Sequence, residues 1–115
     1  MPPASWTVHT SASAERDFEG ILDWTAEHFG EIQARSYECM LMETLESLRN
    51  GPTVRTARSR SKLDRDILRL PVKRGSKRGR HIIFFRVTNY GSRELQVLRI
   101  LHDSMDFARH LPKRE

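Results

Sequence analysis

The sequence predicts an α+β fold in which a helical hairpin covers one face of a small, mostly antiparallel sheet. Residues 12–50 carry apolar side chains at helical spacing, whereas residues 67–101 alternate between apolar and polar as strands do. Gly30 divides the helical part in two, as the turn of a hairpin would. The 115 residues match the length of one domain, so we expect a single domain over residues 1–115.

The first half of the chain predicts a short strand over residues 5–10 and then two helices. Ser11 or Ser13 can cap the first helix, whose inner stripe comprises Ala14, Phe18, Ile21, Leu22, Thr25 and Phe29. Gly30 ends this helix, and the second runs from about residue 31 to residue 50, where Gly51-Pro52 closes it. Its inner face comprises Ala34, Tyr37, Leu41, Thr44, Leu45 and Leu48.

The second half predicts three strands and a short C-terminal helix. Residues 53–66 are expected to be irregular and basic, and strands follow over 67–72, 80–88 and 94–101. Alternation places Leu68, Leu70 and Val72 on one face of the first of these strands. In the second strand it places Ile83, Phe85 and Val87 opposite Ile82, Phe84 and Arg86. In the last strand it places Leu98 and Ile100 opposite Val97, Arg99 and Leu101. Residues 102–110 read as the short helix, with Asp103 near its N-terminus.

Charge is distributed unevenly along the chain. Residues 55–80 contain eleven Lys and Arg and two Asp, a net charge of +9, whereas residues 12–50 contain nine acids and three Arg, a net charge of −6. Within the basic segment we single out Arg65, Lys73, Arg74, Lys77, Arg78 and Arg80. This separation of charge indicates that the basic segment binds a polyanion or an acidic protein segment. A basic stretch is also compatible with a solvated loop that binds nothing.

Three arginines interrupt apolar strands. Arg69, Arg86 and Arg99 are all predicted to lie on the sheet face away from the helices. If their guanidinium groups cluster there, they repel one another unless an anion or a carboxylate bridges them. They therefore indicate a binding surface for phosphate or for acidic residues of a partner. The alternative is that each reaches solvent or pairs within the chain with Asp64, Asp66, Asp103 or Asp106.

His102 follows the last strand directly and is the candidate for acid–base chemistry. Beside Arg86 and Arg99 it could move a proton in metal-free RNA cleavage, whereas a histidine at the end of a strand also commonly serves as a hydrogen-bonding residue. No metal site or cofactor is predicted. The spacing of His102, Asp103 and Asp106 matches no metal-ligand pattern, and the lone Cys39 allows neither an intramolecular disulfide nor a cysteine-built zinc site.

The sequence contains no targeting or membrane segment that we can identify. No apolar run approaches the roughly 18 residues that a membrane span needs, and the N-terminus lacks the layout of a signal peptide. A cytoplasmic protein with no membrane partner is therefore expected.

A family resemblance appears in the last third of the chain. The run His81-Ile82-Ile83-Phe84-Phe85-Arg86 is followed, after a turn, by Val97 to Asp106 with the sequence VLRILHDSMD. This pattern resembles the C-terminal half of the RelE/ParE superfamily of bacterial toxins, and the ParE branch most closely. The chain departs from it at residues 63–66, where a glycine-aromatic-arginine element is common, and at Phe85, where a tyrosine is common.

The resemblance implies the toxin of a type II toxin–antitoxin pair. A ParE-like toxin would inhibit DNA gyrase without catalysis, would be neutralised by direct contact with a cognate antitoxin, and would meet operator DNA only through that antitoxin. Two alternatives remain: a RelE-like, ribosome-dependent mRNA endoribonuclease using His102, Arg99 and Arg86, and a non-toxic member that binds nucleic acid. The expected surface for target or antitoxin comprises Arg69, Arg86, Arg99, His102, Met105, Asp106 and Arg109.

Overall fold

The computed structural model describes residues 5–52, 58–60 and 64–111, with side chains for residues 5–52 and 66–111. The elements, in chain order, are β1 (Thr7–Thr10), α1 (Ala12–Phe29), α2 (Glu31–Ser47), β2 (Arg58–Arg60), β3 (Asp64–Arg74), β4 (Lys77–Asn89) and β5 (Glu94–His102), with 3₁₀ turns at Leu48–Asn50 and Phe107–Arg109. The predicted α+β class, the N-terminal strand and the helical hairpin are confirmed.

The hairpin forms where the sequence predicts it. The Ser11 side chain accepts a hydrogen bond from Ala14 N–H and so caps α1. Gly30, with φ of 91°, ends α1 and starts α2, a conformation that favours glycine. The predicted inner stripe of α1 lies against the sheet except for its last member, because Phe29 is 65% exposed at the tip of the hairpin.

The sheet is larger than predicted. Its order is β1-β5-β4-β3-β2, with β1 parallel to β5 and the other pairs antiparallel. Part of the predicted irregular stretch is strand, since β2 and the start of β3 lie within residues 53–66. The remainder of that stretch, residues 53–57 and 61–63, lies outside the described residues, as does the side chain of Arg65.

Both faces of the sheet are apolar. The face toward the helices contains Leu70, Val72, Ile83, Phe85, Leu95, Val97 and Ile100. The opposite face contains Ile67, Ile82, Phe84, Leu98 and Leu101, and Phe107 and Leu111 from the C-terminal segment pack against it. The predicted faces of β3 and β4 therefore hold.

The predicted alternation of β5 is wrong. Phe84 pairs with Arg99 but Phe85 pairs with Val97, so β5 has one extra residue at this point. Such a bulge reverses the alternation beyond it. Leu98 therefore packs on the face away from the helices, whereas Ile100 packs on the helix-facing side with Val97.

The predicted C-terminal helix is also wrong, because residues 103–105 form a turn and only Phe107–Arg109 is helical, as a 3₁₀ turn. Asp103 is held by Arg80, and the Ser104 N–H donates to His102 Nδ1. These contacts bend the chain back so that Phe107 reaches Phe84, at 4.9 Å between ring centroids. A segment this short gains little from helix formation alone, so tertiary contacts decide its conformation.

Candidate functional site

A groove of about 1240 Å³ lies between the helical hairpin and the end of the sheet where β4 begins and β5 ends. Trp24 and Phe29 line it on the helix side, and Met105 lines it beyond β5. All three are large apolar side chains that are 44–65% exposed. Its rim on the sheet side is basic and includes Arg74, Lys77, Arg78 and Arg80. The groove thus combines apolar anchors with positive charge.

The apolar wall of the groove is built from aromatic rings near the hairpin tip. Trp24 stacks on His28 at 4.1 Å between ring centroids, and Phe29 meets the Trp24 ring edge-on at 5.7 Å. Trp24 is 53% exposed although it lies within helix α1. Exposed aromatic side chains of this kind supply much of the binding energy at protein interfaces.

Arg99 is anchored at the edge of the sheet. Its guanidinium group donates two hydrogen bonds to Asp17, from Nε to Oδ2 at 2.7 Å and from Nη2 to Oδ1 at 2.9 Å. A third hydrogen bond runs from Nη1 to the His110 carbonyl oxygen at 3.0 Å. Asp17 lies on α1 and its carboxylate also accepts Ile100 N–H. The hydrogen bonds that Arg99 donates to Asp17 raise the pKa of Arg99. Arg99 thus joins helix, sheet and C-terminal turn.

The expected cluster of three arginines is not formed. Phe84 lies between Arg69 and Arg99 in the strand register, and the Phe107 ring packs on Phe84. The Arg69 guanidinium lies 5.7 Å from the centre of the Phe107 ring, a cation–π contact on the face away from the helices. Arg99 instead bonds Asp17, a partner that charge spacing along the sequence did not indicate.

Arg86 remains on the predicted face. It follows Phe84 by two residues on β4, so it shares the face of Phe84 and Arg69, and it is half-buried. It forms no ion pair with any side chain in the described ranges. Met105, Asp106 and Arg109 are exposed along the C-terminal turn. Of the predicted surface, Arg69 and Arg86 thus lie half-buried on the face away from the helices, and the other three lie exposed on the C-terminal turn.

Two histidines come together at the groove. His81 pairs with His102 across β4 and β5, and their rings meet edge to face at 5.2 Å between centroids. His81 Nδ1 lies 2.7 Å from the Tyr37 hydroxyl. Burial, followed by the electrostatic effect of the neighbouring His102, lowers the pKa of His81 to about 4. His81 is therefore neutral at pH 7, and its Nδ1 shares a hydrogen bond with the Tyr37 hydroxyl.

His102 is held by the turn that follows it. Its Nδ1 accepts the Ser104 N–H at 3.2 Å and lies 2.7 Å from the Ser104 hydroxyl. The adjacent Asp103 forms a two-point ion pair with Arg80, whose hydrogen bonds hold the pKa of Asp103 below its usual value. These contacts correspond to the hydrogen-bonding role that the sequence left open for His102.

Tyr37 packs tightly against the start of β4. A methyl group added at Gly79 would lie 2.6 Å from the Tyr37 hydroxyl oxygen and 2.8 Å from its ring. Burial raises the pKa of Tyr37, against the opposing effect of backbone hydrogen bonds from Arg80 and His81. The sequence did not single out Tyr37 and His81 as a pair. The strands β4 and β5 form a hairpin in which Asn89 pairs with Glu94. Counting residues away from that pair along both strands places residue 81 opposite residue 102, so the hairpin register is the signal that indicates the histidine pair.

Among the residues with described side chains, no three His, Cys, Asp or Glu come together in an arrangement that could hold a metal ion. Neither α1 nor α2 combines the length and apolar character that a membrane-crossing helix requires.

Comparison with known proteins adds a family. Residues 8–107 match the family model described as the ParE toxin of the type II toxin–antitoxin system parDE. The curated protein Toxin ParE1 of Mycobacterium tuberculosis, in strains CDC 1551 and H37Rv, is 32% identical over 101 residues, which cover 88% of this chain and 93% of the relative.

Two solved structures share the fold. A chain of the chromosomal ParDE toxin–antitoxin system of P. aeruginosa aligns with a TM-score of 0.69 at 19% identity, covering 87% of this chain and 98% of that one. A chain of the RelBE2 toxin–antitoxin complex of Mycobacterium tuberculosis aligns with a TM-score of 0.53 at 16% identity, covering 85% and 98%. At these identities the structural matches establish the fold alone.

Proposed function

Because this chain belongs to the ParE toxin family of type II toxin–antitoxin systems, we propose that it inhibits DNA gyrase by direct binding and that a cognate antitoxin neutralises it. The observation that carries the proposal is the family match over residues 8–107, which includes both helices and strands β3 to β5. If the proposal holds, the chain inhibits gyrase by binding to it and needs only a docking surface, because the chain itself catalyses no reaction.

Two surfaces are available for two partners. We assign the groove to the antitoxin, because Trp24, Phe29 and Met105 offer apolar anchors and the rim offers positive charge to an acidic segment. We assign the face away from the helices to gyrase, with Arg69 and Arg86 as its polar contacts and Met105, Asp106 and Arg109 at its border. Operator DNA would then be bound through the antitoxin.

Arg99 and His102 have supporting roles in this proposal. The Arg99 guanidinium is engaged by Asp17 and the His110 carbonyl, so it positions the C-terminal turn that carries Arg109. His102 fixes the turn at Ser104 in the same way. Replacing either residue would therefore affect the binding surface through its shape.

A supercoiling assay with purified gyrase and the purified chain tests the target. We expect inhibition of supercoiling together with accumulation of cleaved DNA, and the chain co-purified with its antitoxin serves as the inactive control. An absence of inhibition at any excess of the chain would contradict gyrase as the target.

Controlled expression in bacteria separates the alternatives. We expect growth arrest with filamentation and induction of the DNA-damage response while translation continues. Immediate loss of translation without that response would favour the ribosome-dependent endoribonuclease, and replacement of His102 would then be the next step. Unimpaired growth would contradict toxicity and favour a non-toxic, nucleic-acid-binding member.

Co-purification tests the partner. We expect the product of an adjacent small reading frame to bind the chain stably and to restore growth. A product that neither binds nor restores growth would contradict neutralisation by direct contact.

A further inference from the structure

The hairpin between β3 and β4 carries an unusual arrangement of charge. Lys73 lies directly opposite Arg78, and Arg74 lies directly opposite Lys77, so two pairs of like charges face each other across the strands. All four side chains are exposed. Like charges at directly opposed positions destabilise a strand pair. The free protein therefore maintains a charge arrangement that an anion would relieve.

Few carboxylates offset these cations. Arg74 pairs with Glu43 at 2.9 Å between Nε and Oε2. Lys73, Lys77 and Arg78 form no ion pair with the side chains that the structure describes. The tip of the β3–β4 hairpin, residues 73–78 with the sequence KRGSKR, has no apolar side chain, so an amphipathic peptide would find no anchor there.

The geometry of the tip distinguishes duplex DNA from an acidic peptide. Adjacent residues on a strand point to opposite faces, so one cross-strand pair presents its cations on one face of the ribbon and the other pair on the opposite face. The major groove of DNA, about 12 Å wide, admits a two-stranded ribbon. Cations on both faces of such a ribbon meet the phosphates on both walls of the major groove, whereas Lys73 is not among the residues that line the groove beside α1 and would be left out by a peptide bound there.

We propose that the β3–β4 hairpin tip, through Lys73, Arg74, Lys77 and Arg78, binds the backbone of duplex DNA without sequence preference. This inference rests on the proposed function, because the duplex would be the one that gyrase holds. The toxin would then bind gyrase that carries DNA more tightly than it binds gyrase alone, because the hairpin would add contacts to the DNA.

The test measures binding of a fluorescein-labelled duplex of about 20 base pairs to the full chain by fluorescence anisotropy, at salt concentrations of about 50 to 200 mM. Neutralising up to four phosphates predicts a slope of log K against log salt of about −3.6. The double variant Lys77→Gln/Arg78→Gln is expected to bind at least about tenfold more weakly at the lowest salt and to reduce the slope by about 2.

The matched control is Arg35→Gln/Arg49→Gln, which removes the same charge from exposed positions on and just beyond α2. It is expected to retain the wild-type slope. Equal losses in the two double variants, or no measurable duplex binding by the unaltered chain, would overturn the proposal. So would loss of antitoxin co-purification in the hairpin variant with duplex binding unchanged, since the tip would then belong to the antitoxin site.

Supercoiling inhibition measured on the same proteins keeps this proposal separate from the proposed function. If the unaltered chain binds the duplex but does not inhibit gyrase, the gyrase target fails and DNA binding by the hairpin stands. If the unaltered chain inhibits gyrase and the hairpin variant inhibits it equally well, the role of the hairpin at gyrase is overturned while the target stands.

Discussion

Asp17 on helix α1 accepts both a two-point hydrogen bond from Arg99 and the backbone N–H of Ile100 on strand β5. Strand β1 pairs with β5 only as far as Val97, so beyond Val97 no strand among the described residues pairs with β5 on that side. The carboxylate of Asp17 takes the place of the missing strand at Ile100. One side chain therefore covers a sheet edge and fixes the helix to it.

Replacement of Arg99 by Ala is expected to lower the free energy of unfolding by about 2 kcal/mol. The side chains of Asp17 and Arg99 are only 15% and 25% exposed, and the change leaves a partly buried carboxylate without its cation. Urea denaturation of the purified chain measures the loss.

The control for this pair is Arg49→Ala, which removes an exposed ion pair with Glu46 and should cost less than about 0.5 kcal/mol. Asp17→Asn combined with Arg99→Ala should lose less than the sum of the two single changes. Strict additivity in this double-mutant cycle would show that the two residues do not interact in solution.

Acid is expected to destabilise the chain through His81. Burial lowers the pKa of His81 to about 4 in the folded state, against 6.5 when exposed. Between these values the unfolded chain binds the proton and the folded chain does not, so the stabilising contribution is complete above about pH 6.5 and is lost as the pH falls toward 4. At about pH 5 the loss is on the order of 2 kcal/mol.

Urea denaturation at about pH 7 and pH 5 measures this difference. The variant His81→Gln should lose most of the pH dependence, because glutamine stays neutral. His28→Gln, on the exposed side of α1, serves as the control and should retain it. An unchanged dependence in His81→Gln would assign the acid sensitivity to another group.

Gly79→Ala is expected to destabilise the chain by roughly 1–3 kcal/mol, in the range of overpacked cores. The new methyl group would lie 2.6 Å from the hydroxyl oxygen of Tyr37, whose ring is fixed by His81. Gly20→Ala is the matched control, since nothing lies within 4 Å of its added methyl group and alanine favours a helix interior. Thermal denaturation should show opposite shifts for the two variants, and a neutral Gly79→Ala would contradict the close contact.

Trp24→Ala is expected to weaken antitoxin binding at least about tenfold while changing the free energy of unfolding by less than about 0.5 kcal/mol. Trp24 is 53% exposed and lines the groove, so its truncation removes a binding anchor more than a core contact. Titration of the antitoxin by calorimetry measures the affinity. Ile32→Ala, at a residue 87% exposed and outside the groove, should leave both quantities unchanged.

The local pattern predicted helices α1 and α2 and four of the five strands that the structure describes, all except β2, because each depends on neighbouring residues. The stripe from Ala14 to Thr25 and the alternation around Ile83 were sufficient to define α1 and the inner face of β4. The placement of Phe29 in the inner stripe was wrong. The helical spacing of apolar residues continues to the end of α1, whereas the sheet does not extend beneath that end of the helix.

The site required information that the local pattern does not contain. A single extra residue on β5 separates Leu98 from Ile100, which were predicted to share a face, and nothing in the alternation marks it. The partner of Arg99 lies 82 residues earlier in the chain, so charge spacing near the strand suggested other carboxylates. The resemblance in the last third of the chain predicted the family, because family membership depends on sequence motifs. It did not predict the bulge on β5 or the contact between Arg99 and Asp17.

Strand β5, the last of the described strands in chain order, lies between β1 and β4 in the sheet. Strand β1, the Ser11 cap and Asp17 all depend on β5 for their partners. A growing chain therefore cannot complete its sheet until residues up to about 102 have left the ribosome, at roughly 5–20 residues per second. Messages that stop before this point would produce chains without β5, and such chains would leave β1, the Ser11 hydroxyl and Asp17 without the partners that β5 supplies.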